Sequence, residues 1–596
     1  MKKLLLGIWL SVCCYFFSVP SYAQIIIRVA GDTIAGHTGD GASAVLAELN
    51  QPFSLVKDAL GNKYIGEGNG ADIRKVDGSG TITTFAGTGA LGYFGDGGPA
   101  TAAKIGGVSG MTFDAAGNMI IADFANDCIR KINMTTGTIS LVAGTGGTSG
   151  STGDGGPATA ALFNHLMDVK FDATGNLYIS DWGNNKIRMI NTSGDIVLIA
   201  GTGTAGYTGD GFAATAAEIS APYKLAFDAT GNLFFADGGN NCVRKVDITS
   251  GIITTVVGTG TSGFFGDGGP ATSARLASPS GVAFDANGNL YIADRGNARI
   301  RVVDGGGMIS SIAGTGIPAG TGDGGPATAA RFNSPFVLMT DPDLNLYIGD
   351  INGMTVREII AKPVAAFTAP ASLCADSCTT LTKGGTGTLD SLTWSIPGIT
   401  LASPHSATIN PCFPGPGTYS LNLNVYNISG SDVHSTSIVV NPQPHPHVLS
   451  GGFVSVPALY TSYQWYGLPG GIISGATSNS YFGSIGGYYV IVDSGGCAGK
   501  SDSGFIFEAV HEYHKDADKF WLTQTSSNSL EIYSREVLAE PLTISIRDQV
   551  GRQVLSDTWM AGSSSTNIRF GDISPGLYVI RLSNGASPAV LKWMKQ

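Results

Sequence analysis

The sequence predicts an all-β protein whose amino-terminal half is a closed ring of repeated four-stranded units. The segment 281–316 shows the pattern of one unit. Four short runs rich in Val, Ile, Tyr and Phe (GVAF, LYIA, RIRVV and MISSI) are separated by turns rich in Asn, Asp and Gly. A Gly-Asp-Gly segment then recurs every 56 to 58 residues, with its aspartate at Asp40, Asp96, Asp154, Asp210, Asp267 and Asp323. A four-stranded unit at a fixed period of this size is typical of a β-propeller.

Two further sets of residues give the same number of units. An acidic residue ends the second strand of each unit, and an arginine follows in the third strand. The acids are Glu67, Asp123, Asp181, Asp237, Asp294 and Asp350, and the arginines are Arg74, Arg130, Arg188, Arg244, Arg301 and Arg357. Because three independent sets each have six members, we expect six blades.

The two ends of the repeat array predict how the ring closes. The sixth unit stops soon after Arg357 and lacks a fourth strand. The segment 25–31 (IIIRVAG) aligns with the fourth strand at 81–87 (TITTFAG) and has no first three strands before it. We therefore expect the amino-terminal strand to complete the last blade, which removes the exposed edges of an open array.

The repeated motif Asp-x-x-Gly-Asn-Leu-Tyr-Ile-Ala-Asp, followed by Asn and then Ile-Arg-Lys-Val, resembles the NHL repeat over roughly residues 25–361. The resemblance implies a six-bladed propeller, which we place at residues 24–362. It implies much less about function, because that architecture is a binding platform in many proteins and an enzyme in a few.

The first residues predict an exported protein. Residues 1–23 contain two lysines, an apolar run and Ser-Tyr-Ala before Gln24, which is typical of a secretory signal peptide cut after Ala23. We expect no transmembrane segment elsewhere, because no other run is long and apolar enough. The net charge of −11 and the lack of a Lys/Arg cluster argue against a nucleic-acid partner.

The acidic residues of the repeats are the candidate binding residues. In an antiparallel unit, the turn between strands two and three lies at the same end as the long connection to the next unit. The Gly-Asp-Gly aspartates and the strand-two acids should therefore share one face of the ring, here called the loop-bearing face. Such a face favours cations, basic peptides or sugar hydroxyls. The alternative is structural: each acid bonds to the repeat arginine or to turn amides, or caps a short helical turn.

The sequence predicts no catalytic residue and no required cofactor. The propeller has only two histidines, His37 and His165, which cannot form the three-histidine zinc site of propeller lyases. A bound Ca²⁺ is an open alternative. So is a lactonase-type metal site formed by Glu67 and the turn asparagines Asn126, Asn184, Asn240 and Asn297, which would make the protein an extracellular enzyme acting on sugar-derived substrates.

Two modules follow the propeller. Residues 363–441 contain Trp394 and the strand-like run PGPGTYSLNLNVYNISGSDVHSTSIVV, which resemble a PKD-type β-sandwich. Residues 442–508 contain Tyr-Gln-Trp-Tyr at 463–466 and Gly-Gly-Tyr-Tyr-Val at 486–490, which resemble bacterial Ig-like domains.

The cysteines outside the signal peptide fall into two groups. Cys378 and Cys412 are the candidate disulfide, with Cys374 as a competitor, and Cys497 stands alone. Cys128 and Cys242 occupy equivalent places two blades apart, too far from each other to bond, and are expected to be free thiols.

A linker at 509–518 leads to a last small β-sandwich at 519–596. Its Asp548, Gly551-Arg552, the run Pro-Gly-Leu-Tyr-Val at 575–579, and Lys592 and Lys595 resemble the C-terminal sorting domain of type IX secretion in Bacteroidetes. The resemblance implies that the export machinery is a partner, and that the protein passes through the periplasm to be secreted or attached to the outer-membrane surface.

Taken together, the sequence predicts a secreted or surface-attached binding protein. Its propeller would recognise an extracellular protein or a polysaccharide through the loop-bearing face, and its sandwich modules would act as spacers. The extracellular enzyme described above is the alternative.

Overall fold

The computed structural model describes residues 24–444, 446, 448, 454–468, 471–482, 486–494, 497–501, 504–506, 520–526, 529–548, 552–569, 576–583 and 589–595. The predicted signal peptide at 1–23 and the linker at 509–518 lie outside these residues. Contacts divide the chain into two units. Unit 1 comprises residues up to 366 with 384–393 and 424–433, and unit 2 comprises 367–383, 394–423 and 434–596.

Unit 1 is built around the predicted ring of six antiparallel sheets. The strands are β1 Ile25–Ala30; β2–β5 Pro52–Lys57, Lys63–Glu67, Ile73–Val76 and Ile82–Ala86; β6–β9 Val108–Phe113, Met119–Asp123, Cys128–Ile132 and Ile139–Ala143; β10–β13 Leu166–Phe171, Leu177–Asp181, Lys186–Ile190 and Ile196–Ala200; β14–β17 Pro222–Phe227, Leu233–Asp237, Cys242–Val246 and Ile253–Val257; β18–β22 Gly269–Pro270, Val282–Phe284, Leu290–Asp294, Arg299–Val303 and Met308–Ala313; and β23–β26 Gly325–Pro326, Pro335–Thr340, Leu346–Asp350 and Thr355–Ile360.

Short 3₁₀ turns occur in two places in the repeats. One set lies in the long connections, at Ala44–Leu46, Ala100–Ala102, Ala158–Ala160, Ala214–Ala216, Ala271–Ser273 and Ala327–Ala329. The other follows the second strand in blades two to five, at Phe124–Asn126, Trp182–Asn184, Gly238–Asn240 and Arg295–Asn297. Both sets lie at the loop-bearing end of their sheets, as the meander topology requires.

The ring closes as predicted. β1 pairs antiparallel with β26, with Ile25 opposite Ile360, and the last sheet has the order β23-β1-β26-β25-β24. Ile26 is fully buried in one apolar cluster with Phe332, Ile348 and Ile359. The amino-terminal strand is therefore the fourth strand of blade six, and it lies in that blade's core.

The core of the ring lies between neighbouring blades. One cluster, for example, joins Ile120 and Ile129 of blade two to Val169 and Ile179 of blade three. Sheets of alternating side chains can bury both faces in this way, since each face packs on the next blade.

Unit 2 holds most of the strands that follow the propeller. Those before residue 442 are Ser372–Cys374, Ser377–Cys378, Leu381–Thr382, Ser391–Ser395, Thr408–Ile409, Cys412–Phe413, Gly417–Asn427 and Gly430–Asn441, of which the last two form a hairpin whose turn belongs to unit 1. Those of the second module are Val454–Ser455, Ser462–Gly467, Gly471–Ile472, Ser480–Tyr481, Gly486–Ser494, Cys497–Lys500 and Gly504–Ile506. The last seven are Phe520–Ser526, Ser529–Ser534, Leu542–Asp548, Gln553–Trp559, Ser565–Arg569, Gly576–Ser583 and Ala589–Lys595. Trp394, Trp465 and Trp559 are buried among them, as core residues.

The cysteines pair differently from the prediction in one respect. Cys378 and Cys412 form a disulfide, and Cys128 and Cys242 are buried free thiols. Cys497, however, does not stand alone: it is bonded to Cys374, 123 residues earlier. The sequence did not suggest this pair because nothing local links the two modules, whereas the fold brings the two Cα atoms within 5.5 Å of each other.

Within the described residues, no helix has the length and apolar character needed to cross a membrane.

If the closing strand belongs to the core of blade six, shortening one of its buried side chains should lower the free energy of unfolding as much as the same change in an internal blade. Ile26→Ala and Ile82→Ala change fully buried residues at equivalent places of β1 and β5. We expect each to lower the free energy of unfolding by about 2–5 kcal/mol, measured by chemical denaturation. A cost for Ile26→Ala well below that for Ile82→Ala would mean that β1 is not part of the cooperative ring.

Candidate binding site at the channel mouth

The repeat arginine of each blade holds the long connection against the sheet. In blade two, Arg130 is fully buried, and its Nε and Nη1 lie 3.0 Å and 3.4 Å from Asp96 and Asp123. The same guanidinium donates to the carbonyl oxygens of Lys104 (2.8 Å) and Phe94 (3.1 Å) in the connecting loop. A planar group with five donors suits such a position, because it can bond loop and sheet at once.

Equivalent arginines do the same in the other blades. Those of blades three, four and five lie 3.5, 3.8 and 3.3 Å from their strand-two aspartates, Asp181, Asp237 and Asp294. All six arginines lie 2.7–3.0 Å from the Gly-Asp-Gly aspartates, Asp40, Asp96, Asp154, Asp210, Asp267 and Asp323.

The predicted binding residues therefore differ in accessibility. The strand-two acids Glu67, Asp123, Asp181, Asp237, Asp294 and Asp350 are wholly buried. The Gly-Asp-Gly side chains stay 20–48% exposed beside their arginines. A ligand on the loop-bearing face would meet the second set and not the first.

Burial has a clear electrostatic effect on the enclosed acids. It raises the pKa of Asp123, Asp181 and Asp294 to about 6, against hydrogen bonds and the arginine that lower it. It raises the pKa of Asp237 to about 7, and Asp237 is also the aspartate whose arginine lies farthest away among these blades.

The turn asparagines bond within their own blades. The Nδ2 groups of Asn126, Asn184, Asn240 and Asn297 donate to the strand-two aspartates at 2.7–2.9 Å. Each also donates to a loop carbonyl at 2.6–2.8 Å. These side chains thus stabilise the turns of their own blades. They do not come together at the central channel, which runs along the ring axis between the blades and is where a lactonase-type site would need them.

The structure does bring together a second set of residues that the sequence analysis missed. The residue after the strand-two acid differs from blade to blade, and so does the second residue of the first strand. These positions, together with His165 directly before the first strand of blade three, place a chain of aromatic side chains around the ring axis, here called the aromatic mouth: Phe53, Phe124, His165, Trp182, Tyr223 and Phe336.

Neighbouring rings of the aromatic mouth are in contact. Phe53 stacks on Phe336 with centroids 4.9 Å apart, and Phe336 meets Tyr223 edge-on at 5.6 Å. Trp182 lies 6.3 Å from both Tyr223 and His165, and His165 lies 4.8 Å from Phe124. Such spacings are those of interacting aromatic pairs.

A cavity of about 400 Å³ lies at this end of the channel. Its lining includes Phe53, Phe124, Met167, Tyr223, Phe336 and Arg295. The Arg295 guanidinium carbon lies 5.0 Å from the ring centroid of Tyr223 and 5.8 Å from that of Phe336. An apolar cavity with one positive charge at its wall is typical of a small-ligand site.

A buried lysine, Lys224, follows Tyr223 of the aromatic mouth in the first strand of blade four. Lys224 Nζ reaches the carbonyl oxygens of Ser109 in blade two and Met167 in blade three, the latter at 3.0 Å. Asp168 lies 3.9 Å from the same amine. Burial lowers the pKa of Lys224 to about 8. The lysine therefore joins three consecutive blades.

The mouth was missed because the sequence analysis sought residues that recur in every copy. The sequence signal that would have found it is a repeat position whose residue changes from blade to blade. Directly after the strand-two acid, the six blades carry Gly68, Phe124, Trp182, Gly238, Arg295 and Ile351. Variation at a fixed position of an otherwise uniform repeat marks where the blades have different roles.

Among the described residues, one group of side chains has the spacing of a metal site: His37, Glu67 and Asp72 in and near blade one. It contains an imidazole, which Ca²⁺ does not prefer, so the open alternative of calcium gains no support there.

The raised pKa of Asp237 predicts a pH dependence of stability. Between about pH 4 and pH 7 the unfolded carboxyl is deprotonated, whereas the folded one keeps its proton up to a pKa of about 7. Folding then binds a proton, so the free energy of unfolding falls as pH rises through this window. Relative to Asp237→Asn, which cannot titrate, the wild type should lose up to about 1.4 kcal/mol per pH unit in chemical denaturation.

Asp210→Asn is the matched control, because it changes the more exposed carboxylate paired with Arg244. It should keep most of the fall in the free energy of unfolding with rising pH. Parallel stability curves for the wild type and Asp237→Asn would show that Asp237 is ionised in the folded protein throughout.

Comparison with known proteins agrees with this architecture. The family model of the Teneurin NHL domain matches residues 260–319, and that of the secretion system C-terminal sorting domain matches residues 526–596. NHL repeat-containing protein 2 of Bos taurus is 30% identical over 314 residues, in an alignment covering 47% of this chain and 43% of that protein. Teneurin-1 of Mus musculus is 28% identical over 234 residues, covering 35% of this chain and 8% of that protein. The chain spans less than half the length of these curated relatives.

A crystal structure of a protein of unknown function from Bacteroides thetaiotaomicron is similar with a TM-score of 0.43 and 19% identity, covering 56% of this chain and 75% of that one. The repeats and the closed ring make the amino-terminal part of the chain a six-bladed propeller, within which residues 260–319 match the Teneurin NHL domain. The match of residues 526–596 to the secretion system C-terminal sorting domain indicates that the protein is exported, to be secreted or attached to the cell surface.

Proposed function

We propose that this exported propeller is a binding protein whose ligand docks in the cavity at the aromatic mouth. The observation that carries the proposal is the break in repeat symmetry. The residues that hold the blades together recur six times, whereas those that line the cavity differ from blade to blade. A purely structural ring has no need of such differences at its axis.

The cavity favours a ligand with a flat apolar face and a negative group. Sugar rings present faces of C–H groups that pack on Phe, Tyr and Trp, and the Arg295 guanidinium can pair with a carboxylate in bidentate fashion. Arg295 is already held over Tyr223, since its Nη2 lies 3.3 Å from the tyrosine hydroxyl. We therefore propose an acidic polysaccharide, rich in uronic acids, as the ligand.

The polar groups near the cavity support binding rather than catalysis. His165 Nδ1 lies 2.7 Å from the amide oxygen of Asn164, and the Lys224 amine is bonded to carbonyl oxygens. Among the described residues that line the cavity, no nucleophile lies beside a general base. The sandwich modules, in this proposal, separate the propeller from the sorting domain.

The test is titration of the full chain with polygalacturonate and with a neutral dextran. We expect the acidic polymer to bind and the neutral one to bind much more weakly. Arg295→Gln, which removes the charge and keeps a polar amide, should weaken binding at least tenfold, or about 1.4 kcal/mol. Binding should also weaken as salt is added, because the pair is partly exposed.

Arg275→Gln is the matched control, since Arg275 is an exposed arginine of the same blade outside the cavity lining. It should bind within about twofold of the wild type. Equal binding of dextran, or wild-type affinity in Arg295→Gln, would contradict the proposal. Binding of neither polymer would favour an extracellular protein as the partner.

A further inference from the structure

Blade one departs from the other blades where its second strand ends. In blades two to five a turn asparagine donates to the strand-two aspartate. In blade one Gly70 takes that place and offers no donor, and the acid is the longer Glu67. Asp72 adds a second carboxylate, at a position where blades two and four have Cys128 and Cys242.

These changes leave two enclosed carboxylates without enough donors. Glu67 and Asp72 are both fully buried. Glu67 Oε1 accepts the backbone N–H of Asn50 at 2.9 Å, but Glu67 Oε2 and Asp72 Oδ1 meet no N–H or O–H donor of any other residue, and the two carboxyl groups lie close enough to share a proton. A side chain at position 70 would collide with Glu67 Oε2, so the glycine also leaves the space open.

The local charge is unbalanced. Asp40, Glu67 and Asp72 surround one arginine, Arg74, whose ion pair is made with Asp40 at 2.7 Å. Among the described residues, no second arginine or lysine forms an ion pair with Glu67 or Asp72. Unpaired carboxylates are costly away from water, so a proton or a cation is needed here.

His37 supplies a third side chain that can coordinate a metal ion. Its side chain is 42% exposed, and its Nδ1 contacts Asp72 Oδ2. The donor atoms of His37, Glu67 and Asp72 lie within 4.8 Å of one another. Ligands at about 2.1 Å around a tetrahedral zinc ion are about 3.4 Å apart, so small side-chain movements would complete such a site.

We propose that His37, Glu67 and Asp72 form a binding site for Zn²⁺. One imidazole and two carboxylates suit zinc, whereas calcium takes oxygen ligands alone. Because the His37 side chain is 42% exposed, solvent water would supply the fourth ligand. The unpartnered, fully buried oxygens of Glu67 and Asp72 are what distinguish this group from an ordinary surface cluster of acids.

The position of the site gives the ion a structural role. His37 lies in the connection that directly follows the closing strand β1, whereas Glu67 ends β3 and Asp72 precedes β4. Zinc bound here ties the first long loop to blade one, next to the junction where the ring closes. Metal binding should therefore raise the stability of the closed propeller.

The experiment uses the full chain, freed of metal with EDTA and then titrated with Zn²⁺, with Co²⁺ absorption as a report of coordination. The wild type should bind one more zinc ion than His37→Ala, and Asp72→Asn should bind that ion at least tenfold more weakly. An excess of Ca²⁺ should not displace it. Zinc should raise the thermal midpoint of the wild type but not that of His37→Ala.

His165→Ala is the matched control, because it removes the other propeller histidine and should keep the zinc ion and the shift in midpoint. His37→Ala changes a half-exposed side chain, and its midpoint in EDTA, compared with that of the metal-free wild type, reports whether it folds. If the wild type and His37→Ala bind zinc with equal number and affinity, the site is overturned, and a proton shared by Glu67 and Asp72 is left as the account of the two buried acids. Loss of zinc in His165→Ala alone would overturn it equally.

Discussion

The pairing of each buried repeat arginine with a Gly-Asp-Gly aspartate is the interaction on which the propeller depends, and in blades two to five the strand-two aspartate adds to it. A guanidinium has five donors and does not lose its charge in a protein, so once enclosed it must find acceptors on every side. In blade two it finds two carbonyl oxygens and the carboxylate of Asp96 in the long connection, and the carboxylate of Asp123 at the end of strand two. Removing one partner of such a pair leaves a buried charge uncompensated, which typically costs about 3–5 kcal/mol.

This interaction explains how connections of unusual length keep one conformation. Because the arginine bonds the loop and the sheet together, the loop does not need an apolar core of its own. Aromatic side chains also stabilise the arginines. The guanidinium carbon of Arg130 lies 5.3 Å from the ring centroid of Tyr93, and that of Arg188 lies 5.0 Å from the ring centroid of Phe163. The loops are thereby held beside the turns that contain Phe124 and Arg295, since Asn126 and Asn297 of these turns donate to carbonyl oxygens of the loops.

The same reasoning separates two kinds of residue in one repeat. Repeated polar residues serve the fold, and those that change from blade to blade are free to serve a ligand or a metal. Blade one shows such a change at positions that serve the fold in the other blades. Gly70 and Asp72 replace residues of the usual pattern, and the result is a group of acids that the arginine alone does not neutralise.

The sequence by itself determined the six blades, the closing strand and the C-terminal sorting domain, because these follow from local patterns and from a fixed period. It also predicted, as the structural interpretation of the repeat acids, that they pair with the repeat arginines. Only the tertiary structure decided that Phe53 stacks on Phe336, that Lys224 of blade four reaches Ser109 of blade two, and that Cys374 bonds Cys497. These contacts join residues far apart in the chain. Their distances are set by ring closure and by the packing of whole modules, which no short stretch of sequence encodes.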